Sequence, residues 1–430
     1  MMKLRGMAGF DRRTVLKTLA KGAAAACLGA GAARAAEDGD PLDALIQDNQ
    51  KGDADQTFDS ASRKVAMPKA SLPTLSPATA QTTEQAIAQY EGIVAKGGWP
   101  LVPPVDHLRV GVKHASVAAL RQRLTVAGDL ENEAGVADVY DSYVEAAVKR
   151  FQVRHGLVAD GIVREQTFTS LNIPAVARLA QLKANVTRLR TFDKLGNRFL
   201  MANIPAARAE AVENGVVVSR HTTVAGKADR ASPDINSKIV EINFNPYWTV
   251  PASIVRKDLI PKMQAEPDYL GKYHIRIFDP KGSELQPQAI NWFSEEATSY
   301  RFKQDPGELN SLGTIRINFP SAYGVYMHDT PFKNLFGEND RFHSSGCMRV
   351  QNVRELVTWL LDQTPGWSRQ EIDAVIKSGD RKDARLAKPV PLYWVYITAW
   401  ATPDGVIQFR EDIYNRDAAG PSVSTSTRRG

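Results

Sequence analysis

The period of the apolar residues changes near Gly196, and this change constrains the fold more than any other feature of the sequence. Before this point, apolar residues recur at the three- and four-residue spacing of helices. After it, short runs rich in β-branched and aromatic residues alternate with turn residues. A single core seldom serves more than about 250–300 residues. The 430 residues therefore predict an α+β protein, with a helical domain followed by a mainly antiparallel β domain.

The helical part is expected over residues 81–195. Its first element is the amphipathic run Glu84–Ala95, where we expect order to begin, and its last is the helix Ala175–Arg190. Between them, residues 107–172 have the pattern of three short helices. The apolar positions that define these helices are Val117, Leu120 and Leu124, then Val144, Val148 and Phe151, then Thr167 to Leu171.

The β part is expected over residues 196–415. Two helical stretches are expected to interrupt it, near Ile254–Gln264 and near Val353–Thr364. The predicted strands are Phe199–Ile204, Gly215–Val224, Lys238–Asn243, Tyr273–Phe278, Thr314–Phe319, Gly324–Met327 and Tyr393–Trp400.

The net positive charge of the chain comes entirely from its first 35 residues. These contain seven basic residues and one acidic residue, a balance that equals the formal charge of +6 of the whole chain, so nucleic acid is not an expected partner. A charged start, an apolar stretch and the small-residue site at Ala35 predict an export signal over 1–35. The run from Asp11 to Lys17 resembles the twin-arginine consensus for export of folded protein, and an ordinary secretory signal is the alternative. Lys21 interrupts the apolar stretch, which argues against a membrane span.

Cleavage of such a signal would remove Cys27 and leave Cys347 as the only thiol. Lipidation of Cys27 is an alternative that the residues before it do not favour. Residues 36–80 have few large apolar residues and are expected to form a flexible tether, and 416–430 a disordered tail.

The chemistry is concentrated around Cys347. His328 precedes it by nineteen residues, and Gly346 lets the backbone turn sharply beside the thiol. A thiolate needs a base to take its proton, and an imidazole at a strand end is suited to this. A backbone amide at Cys347 could hold a developing oxyanion. Without further context, His343 is the nearer candidate base, and a lone cysteine is more often a buried small hydrophobe.

Two segments resemble known families. The run Ala147–Gln152, with the Gly-Leu, Asp-Gly and Leu-Asn pairs that follow up to Asn172, is similar to the peptidoglycan-binding domain 1 pattern, with a generic three-helix bundle as the alternative. The segment from Val325 to Pro331, followed by Ser344-Ser345-Gly346-Cys347 and Arg349, resembles the L,D-transpeptidase (YkuD-type) signature. Ser345 stands where most of that family has histidine, but the large periplasmic subgroup also has serine there. The segment from Asn245 to Pro251 is similar to that subgroup as well.

The second resemblance implies site residues. Cys347 would be the nucleophile, His328 the general base in preference to His343, and Gly346 part of the turn that shapes the oxyanion site. We expect a backbone carbonyl beside His328, rather than the Asp329 side chain, to orient the imidazole. Substrate contacts are expected from Arg349, Tyr326, Trp248 and Ser345. A structural salt bridge is the alternative for Arg349, and a core position the alternative for the two aromatic residues.

The resemblance also implies a function. The enzyme would be a periplasmic L,D-transpeptidase that forms 3→3 peptidoglycan cross-links by cysteine acyl transfer, with no metal or cofactor, and carbapenems would acylate its thiol. It would carry a helical cap near residues 254–288. Its partners would be peptidoglycan stem peptides and glycan. The alternatives are a carboxypeptidase that uses water, a transferase that uses a lipoprotein or another stem-peptide amine, and a non-catalytic wall-binding protein.

Overall fold

The computed structural model describes residues 72–130, 137–192 and 195–417. All of them belong to one compact unit that spans residues 48–430. The predicted export signal with Cys27, most of the predicted tether, and the predicted tail beyond Asp417 lie outside the described residues. Within the described ranges, no helix combines the length and the apolarity needed to cross a membrane.

The N-terminal part is helical, as predicted. Asp141 caps one helix by accepting hydrogen bonds from the backbone amides of Tyr143 and Val144. The apolar positions named above for the first two helices form one buried cluster with Phe168 and Leu171 of the third, which confirms the three-helix unit. The helices are α1 Pro77–Ala95, α2 Ala115–Val126, α3 Ser142–Arg154, α4 Glu165–Leu171 and α5 Ala175–Arg190.

Order begins earlier than the sequence suggested. Helix α1 starts at Pro77 rather than at Glu84, and Ser76 caps it. Leu75 is buried, and the Thr74 amide donates to the Glu210 carboxylate at 2.8 Å. The prediction that the tether extends to residue 80 is therefore wrong from Thr74 onward, because the β domain supplies partners that composition does not reveal.

The C-terminal part is built on a mixed sheet. The strands of this part are β1 Arg198–Asn203, β2 Arg208–Glu213, β3 Val216–Gly226, β4 Ile235–Phe244, β5 Trp248–Val250, β6 Ile275–Phe278, β7 Glu284–Leu285, β8 Arg301–Gln304, β9 Ile315–Asn318, β10 Met327–His328, β11 Phe342–Ser344, β12 Met348–Val350, β13 Lys382–Val395, β14 Ala399–Ala401 and β15 Ile407–Phe409. The strand order of the mixed sheet is β11-β3-β12-β10-β9-β4-β13-β1-β2, and a further pairing of β3 with β2 closes eight of these strands into a ring. Most neighbours are antiparallel, but β1 with β13, β10 with β12 and β11 with β3 are parallel.

The core of this domain joins the inward side chains of the ring strands to one face of a helix. Val353 to Leu361 supply the helical side, and residues such as Ile317, Met327 and Met348 supply the strands. Alternate positions of each strand consequently face away from the core. The remaining helices are α6 Ala252–Ile254, the π-helix Val255–Leu259, α7 Ile260–Ala265, α8 Tyr269–Lys272, α9 Val353–Leu361, α10 Arg369–Ser378 and the 3₁₀ helices Ala228–Arg230, Pro287–Ala289, Glu295–Ser299 and Lys333–Gly337.

Strands β2 and β12 of the ring were not predicted, and only the end of β13 was. Strand β2 consists largely of Ala, Glu and Arg, which favour helix, yet it pairs on both edges with β1 and β3. Strand β13 contains Pro389 and Pro391, and its register against β4 shifts between Arg385 and Val390. The predicted strand Tyr393–Trp400 is in fact the end of β13 followed by the separate strand β14.

The segment expected as a helical cap is only partly helical. Helices α6, α7 and α8 with the π-helix lie within it, but a four-stranded sheet of order β5-β8-β6-β7 completes the region. The inserted region therefore extends to Gln304 rather than ending at residue 288.

Candidate active site

The register of two neighbouring strands places the chemically important side chains on one face. Strands β10 and β12 run parallel with Met327 opposite Met348, and both methionines are fully buried in the core. Side chains alternate between the two faces of a strand. The residues that flank the methionines therefore share the outer face: Tyr326, His328, Cys347 and Arg349.

The orientation of His328 is set by its own backbone neighbour. Its Nδ1 makes a short hydrogen bond to the Asp329 carbonyl oxygen. A carbonyl can only accept, so Nδ1 carries the proton and Nε2 is left as the basic nitrogen. The Asp329 carboxylate instead accepts from Thr314 and from Lys333 Nζ at 2.6 Å. The backbone carbonyl is thus confirmed as the orienting acceptor.

A tight turn presents the thiol. Gly346 has φ 107°, a left-handed conformation that favours glycine. Its N–H donates to Ser344 Oγ at 3.2 Å, and its carbonyl accepts from Ser232 Oγ at 2.9 Å. Among the described residues, the Cys347 N–H has no hydrogen-bond acceptor. The turn thus leaves the amide of Cys347, rather than that of Gly346, available to a ligand.

The electrostatic setting keeps both the thiol of Cys347 and the imidazole of His328 neutral. Burial lowers the pKa of His328 to about 3, and the positive charge of Arg349 adds to this effect. Burial also raises the pKa of the Cys347 thiol, against hydrogen bonds from Tyr326 and the charges of Arg316 and Arg349. The thiol and the imidazole therefore rest as an uncharged pair at neutral pH, and proton transfer must accompany attack on a substrate.

The two aromatic residues expected in the pocket come together beside the thiol. The ring of Tyr326 lies edge-on to that of His328, with centroids 5.7 Å apart. Its side chain also interacts with Cys347 and Trp248, while burial raises the pKa of its hydroxyl. Both Tyr326 and Trp248 are only partly buried, and Tyr326 also packs against the core of the domain.

Two arginines lie at the site without an acidic partner. Within the described ranges, neither Arg316 nor Arg349 has a carboxylate at ion-pair distance. The Arg349 Nε and Nη1 atoms and the Arg316 Nε atom are buried and make no hydrogen bond. The salt bridge considered as an alternative for Arg349 is therefore not found among these residues. Arg316 was not predicted, because its site role depends on which strand pairs with β10.

Ser345 faces a different space from Cys347. Its hydroxyl accepts a hydrogen bond of 2.9 Å from Arg230, which also pairs with Asp258 of the π-helix at 2.6 Å. A cavity of about 280 Å³ lies here, lined by Arg230, Lys257, Ser345 and Gly346 among others. Arg230 thus connects the thiol-bearing turn to the inserted region, a link that the sequence did not indicate.

His343 is engaged elsewhere. Its Nε2 lies 3.0 Å from the Asp340 carbonyl and 3.3 Å from the Glu338 carboxylate. No cluster of three or more potential metal ligands occurs in the described part of the chain.

The structure is that of an α+β protein in which a thiol and an imidazole lie on one face of a closed β-sheet. A small helical module precedes this β domain in the chain. Residues 197–368 match the family described as "L,D-transpeptidase catalytic domain" (YkuD). Residues 113–171 match the "Putative peptidoglycan binding domain" family. The chain therefore carries an L,D-transpeptidase catalytic domain of the YkuD family, preceded by a peptidoglycan-binding domain.

One relative by sequence has a name that agrees with this assignment. A "Putative L,D-transpeptidase" of Haemophilus influenzae is 31% identical over 238 residues, which make up 55% of this chain and 48% of that protein. The chain thus covers about half the length of that relative. A solved L,D-transpeptidase structure from Xylanimonas cellulosilytica is 17% identical, with 68% of this chain and 99% of that one covered and a TM-score of 0.22. One from Mycobacterium smegmatis is 13% identical, with 47% and 60% covered and a TM-score of 0.23.

Proposed function

We propose that this protein is a periplasmic L,D-transpeptidase that forms 3→3 cross-links between peptidoglycan stem peptides. The observation that carries the proposal is the outward face shared by Cys347 and His328, with His328 Nδ1 held by a carbonyl so that Nε2 is the free base. The family of the catalytic domain and the preceding peptidoglycan-binding domain support peptidoglycan as the substrate. The predicted export signal supports action in the periplasm.

In the first step, the thiol of Cys347 attacks the carbonyl of the third residue of a donor tetrapeptide, at the L-centre of diaminopimelate. His328 Nε2 takes the thiol proton as the S–C bond forms. The Cys347 N–H, which has no acceptor among the described residues, would stabilise the oxyanion. The C–N bond then breaks, His328 returns the proton to the leaving amine, and D-alanine departs to leave a thioester.

In the second step, the side-chain amine of another stem peptide attacks the thioester. His328 takes the proton of this amine, the new amide bond forms, and the proton passes to the departing sulfur. Water in place of the amine would give a tripeptide by hydrolysis. An amine of a lipoprotein, or a different amine of a stem peptide, would give another transfer product.

The test is incubation of the purified protein with disaccharide-tetrapeptide, followed by mass spectrometry. We expect dimers that have lost one D-alanine, and no turnover by Cys347→Ala or His328→Ala. Tripeptide monomers alone would replace the proposal with a carboxypeptidase. Absence of any product, together with absence of a carbapenem adduct on Cys347, would refute acyl transfer altogether.

A further inference from the structure

Two arginines flank the candidate base on adjacent strands. His328 of β10 stands opposite Arg316 of β9 on one side and opposite Arg349 of β12 on the other. Residues directly opposite across a strand pair share a face, so the three side chains form a row beside Cys347. Neighbouring strands are about 4.8 Å apart, which separates the backbones of the two arginines by about 10 Å.

Neither guanidinium is satisfied within this row. Arg349 has two buried N–H groups without an acceptor, and Arg316 has one. Each lies over an aromatic ring instead, Arg316 at 4.3 Å from the centroid of Tyr326 and Arg349 at 5.6 Å from that of Phe332. Such stacking leaves the N–H edge of a guanidinium unused. Arg230, which lines the neighbouring cavity, already has a carboxylate.

Buried guanidinium groups without an anion are unfavourable, and carboxylates fit their planar edge with two parallel hydrogen bonds. The two arginines lie on strands on either side of β10, and each stacks on a different ring, Arg316 on Tyr326 and Arg349 on Phe332. The geometry calls for two anionic groups on one ligand, one on each side of His328.

We propose that Arg316 and Arg349 form a two-point cradle for two carboxylates of the donor peptide. This rests on the proposed function and defines its substrate class: donors that carry a carboxylate on the side chain of the attacked residue and another on the leaving residue. Arg316 is then a substrate-binding residue that neither the motif nor the family match assigns.

Binding of such a donor also affects the base. The groups that face His328 are Arg316 and Arg349 from the adjacent strands, Tyr326 from its own strand, and the carbonyl and carboxylate of Asp329. The two cations disfavour the imidazolium ion, and two bound carboxylates cancel this effect. The donor thereby makes His328 a stronger base where the proton must be taken, and a donor lacking one carboxylate does so less.

The experiment compares three donors. The first is a disaccharide-tetrapeptide with both carboxylates free, the second has the side-chain carboxylate of its third residue amidated, and the third ends in D-alaninamide. Release of the leaving group gives kcat/KM for the wild type and for Arg316→Gln, Arg349→Gln and Arg316→Lys. Lys382→Gln, which removes a cation 5.0 Å from the Trp367 ring, is the matched control for loss of a cation over an aromatic ring.

In the wild type, each amidation should lower kcat/KM about 10- to 100-fold, the range for a hydrogen-bonded charged pair. Arg316→Gln should lower kcat/KM by a similar factor on the free donor. On one of the amidated donors it should lower kcat/KM by no more than about threefold, since the amidation has already removed the ion pair that the substitution removes. Arg349→Gln should show this pattern on the other amidated donor. Arg316→Lys should recover part of the loss, and Lys382→Gln should resemble the wild type.

Equal wild-type rates on all three donors would overturn the cradle while leaving the proposed function intact. So would a loss in Arg316→Gln that is the same on every donor, because that is the signature of a structural defect. Failure of the wild type to process any donor would instead overturn the proposed function, and the cradle with it. A pH profile adds a further readout: the acid limb of kcat should lie at higher pH for the free donor than for either amidated donor.

Discussion

Asp329 provides the sharpest test of how His328, the proposed catalytic base, is held. Its carboxylate is almost fully buried and accepts from the Thr314 N–H and hydroxyl, both at 3.0 Å, and from Lys333 Nζ at 2.6 Å. Gly313 packs so closely that a Cβ there would lie 2.5 Å from the carboxylate. The imidazole of His328, however, contacts the Asp329 backbone carbonyl. Orientation of the base and stability of the strand end are therefore separable.

Asp329→Asn keeps the shape of the side chain but removes its charge. A hydrogen bond to a charged partner contributes about 1.5–3 kcal/mol to stability. Because Lys333 is one-third exposed, we expect the free energy of unfolding to fall by an amount near the lower end of this range, about 2 kcal/mol. In a domain of this size such a loss corresponds to a decrease in Tm of roughly 4–8 °C.

The pH dependence of this stability loss has a defined sign. Burial raises the pKa of Asp329, but Lys333 and the hydrogen bonds from Thr314 and Thr330 outweigh it, so the pKa lies below its usual value. A carboxyl with a depressed pKa in the folded state stabilises the fold above its unfolded pKa of about 4, and this stabilisation disappears as the pH falls through the folded pKa. The stability difference between wild type and Asp329→Asn should thus be full at pH 7 and shrink below about pH 4.

Activity should respond much less than stability. Because the carbonyl that fixes His328 Nδ1 is retained, kcat should remain within about tenfold of the wild type. If the carboxylate oriented the imidazole, as in a serine protease triad, the loss would be about 10⁴-fold. The assay is release of D-alanine alongside thermal unfolding, with Lys333→Gln as the control that loses the same ion pair. A 10³-fold or greater fall in kcat in Asp329→Asn, but not in Lys333→Gln, would refute this reasoning.

Three further predictions follow from the site. His343→Ala should retain most of the turnover, since its imidazole contacts the Asp340 carbonyl and Glu338, and a loss as complete as that of His328→Ala would show that the base is misassigned. The pKa of His328 is lowered to about 3, and a histidine is the neutral base only above its pKa. The acid limb of the pH profile of kcat/KM should therefore lie below about pH 5, whereas an unperturbed histidine would place it near pH 6.5. Arg230→Gln should raise KM for the donor about two- to fivefold with a smaller change in kcat, because it removes a partly exposed ion pair that links the cavity to the inserted region. The control is Arg256→Gln, which removes an ion pair with Glu295 of the same region. An equal effect of both substitutions would contradict a specific role for Arg230.

The secondary structure shows where sequence patterns are sufficient. The three-helix unit could be predicted because its periodic apolar positions, such as Val117 and Phe151, lie on helices that pack on their sequence neighbours. Strand β2 could not, because its alanines and charged residues favour helix and only pairing with β1 and β3 makes it a strand. The same holds for β13, whose prolines disrupt any local strand pattern.

The sequence by itself singled out the pair that we propose to react. Cys347 and Gly346 are adjacent, His328 lies in the same short segment of the chain, and a turn that presents a thiol is a local property that a motif can encode. The tertiary structure alone decided what surrounds the pair. It placed Arg316 beside His328 and directed Ser345 to Arg230. These contacts depend on which strands pair and in what register, and a register is set by packing across the whole sheet rather than by any one segment.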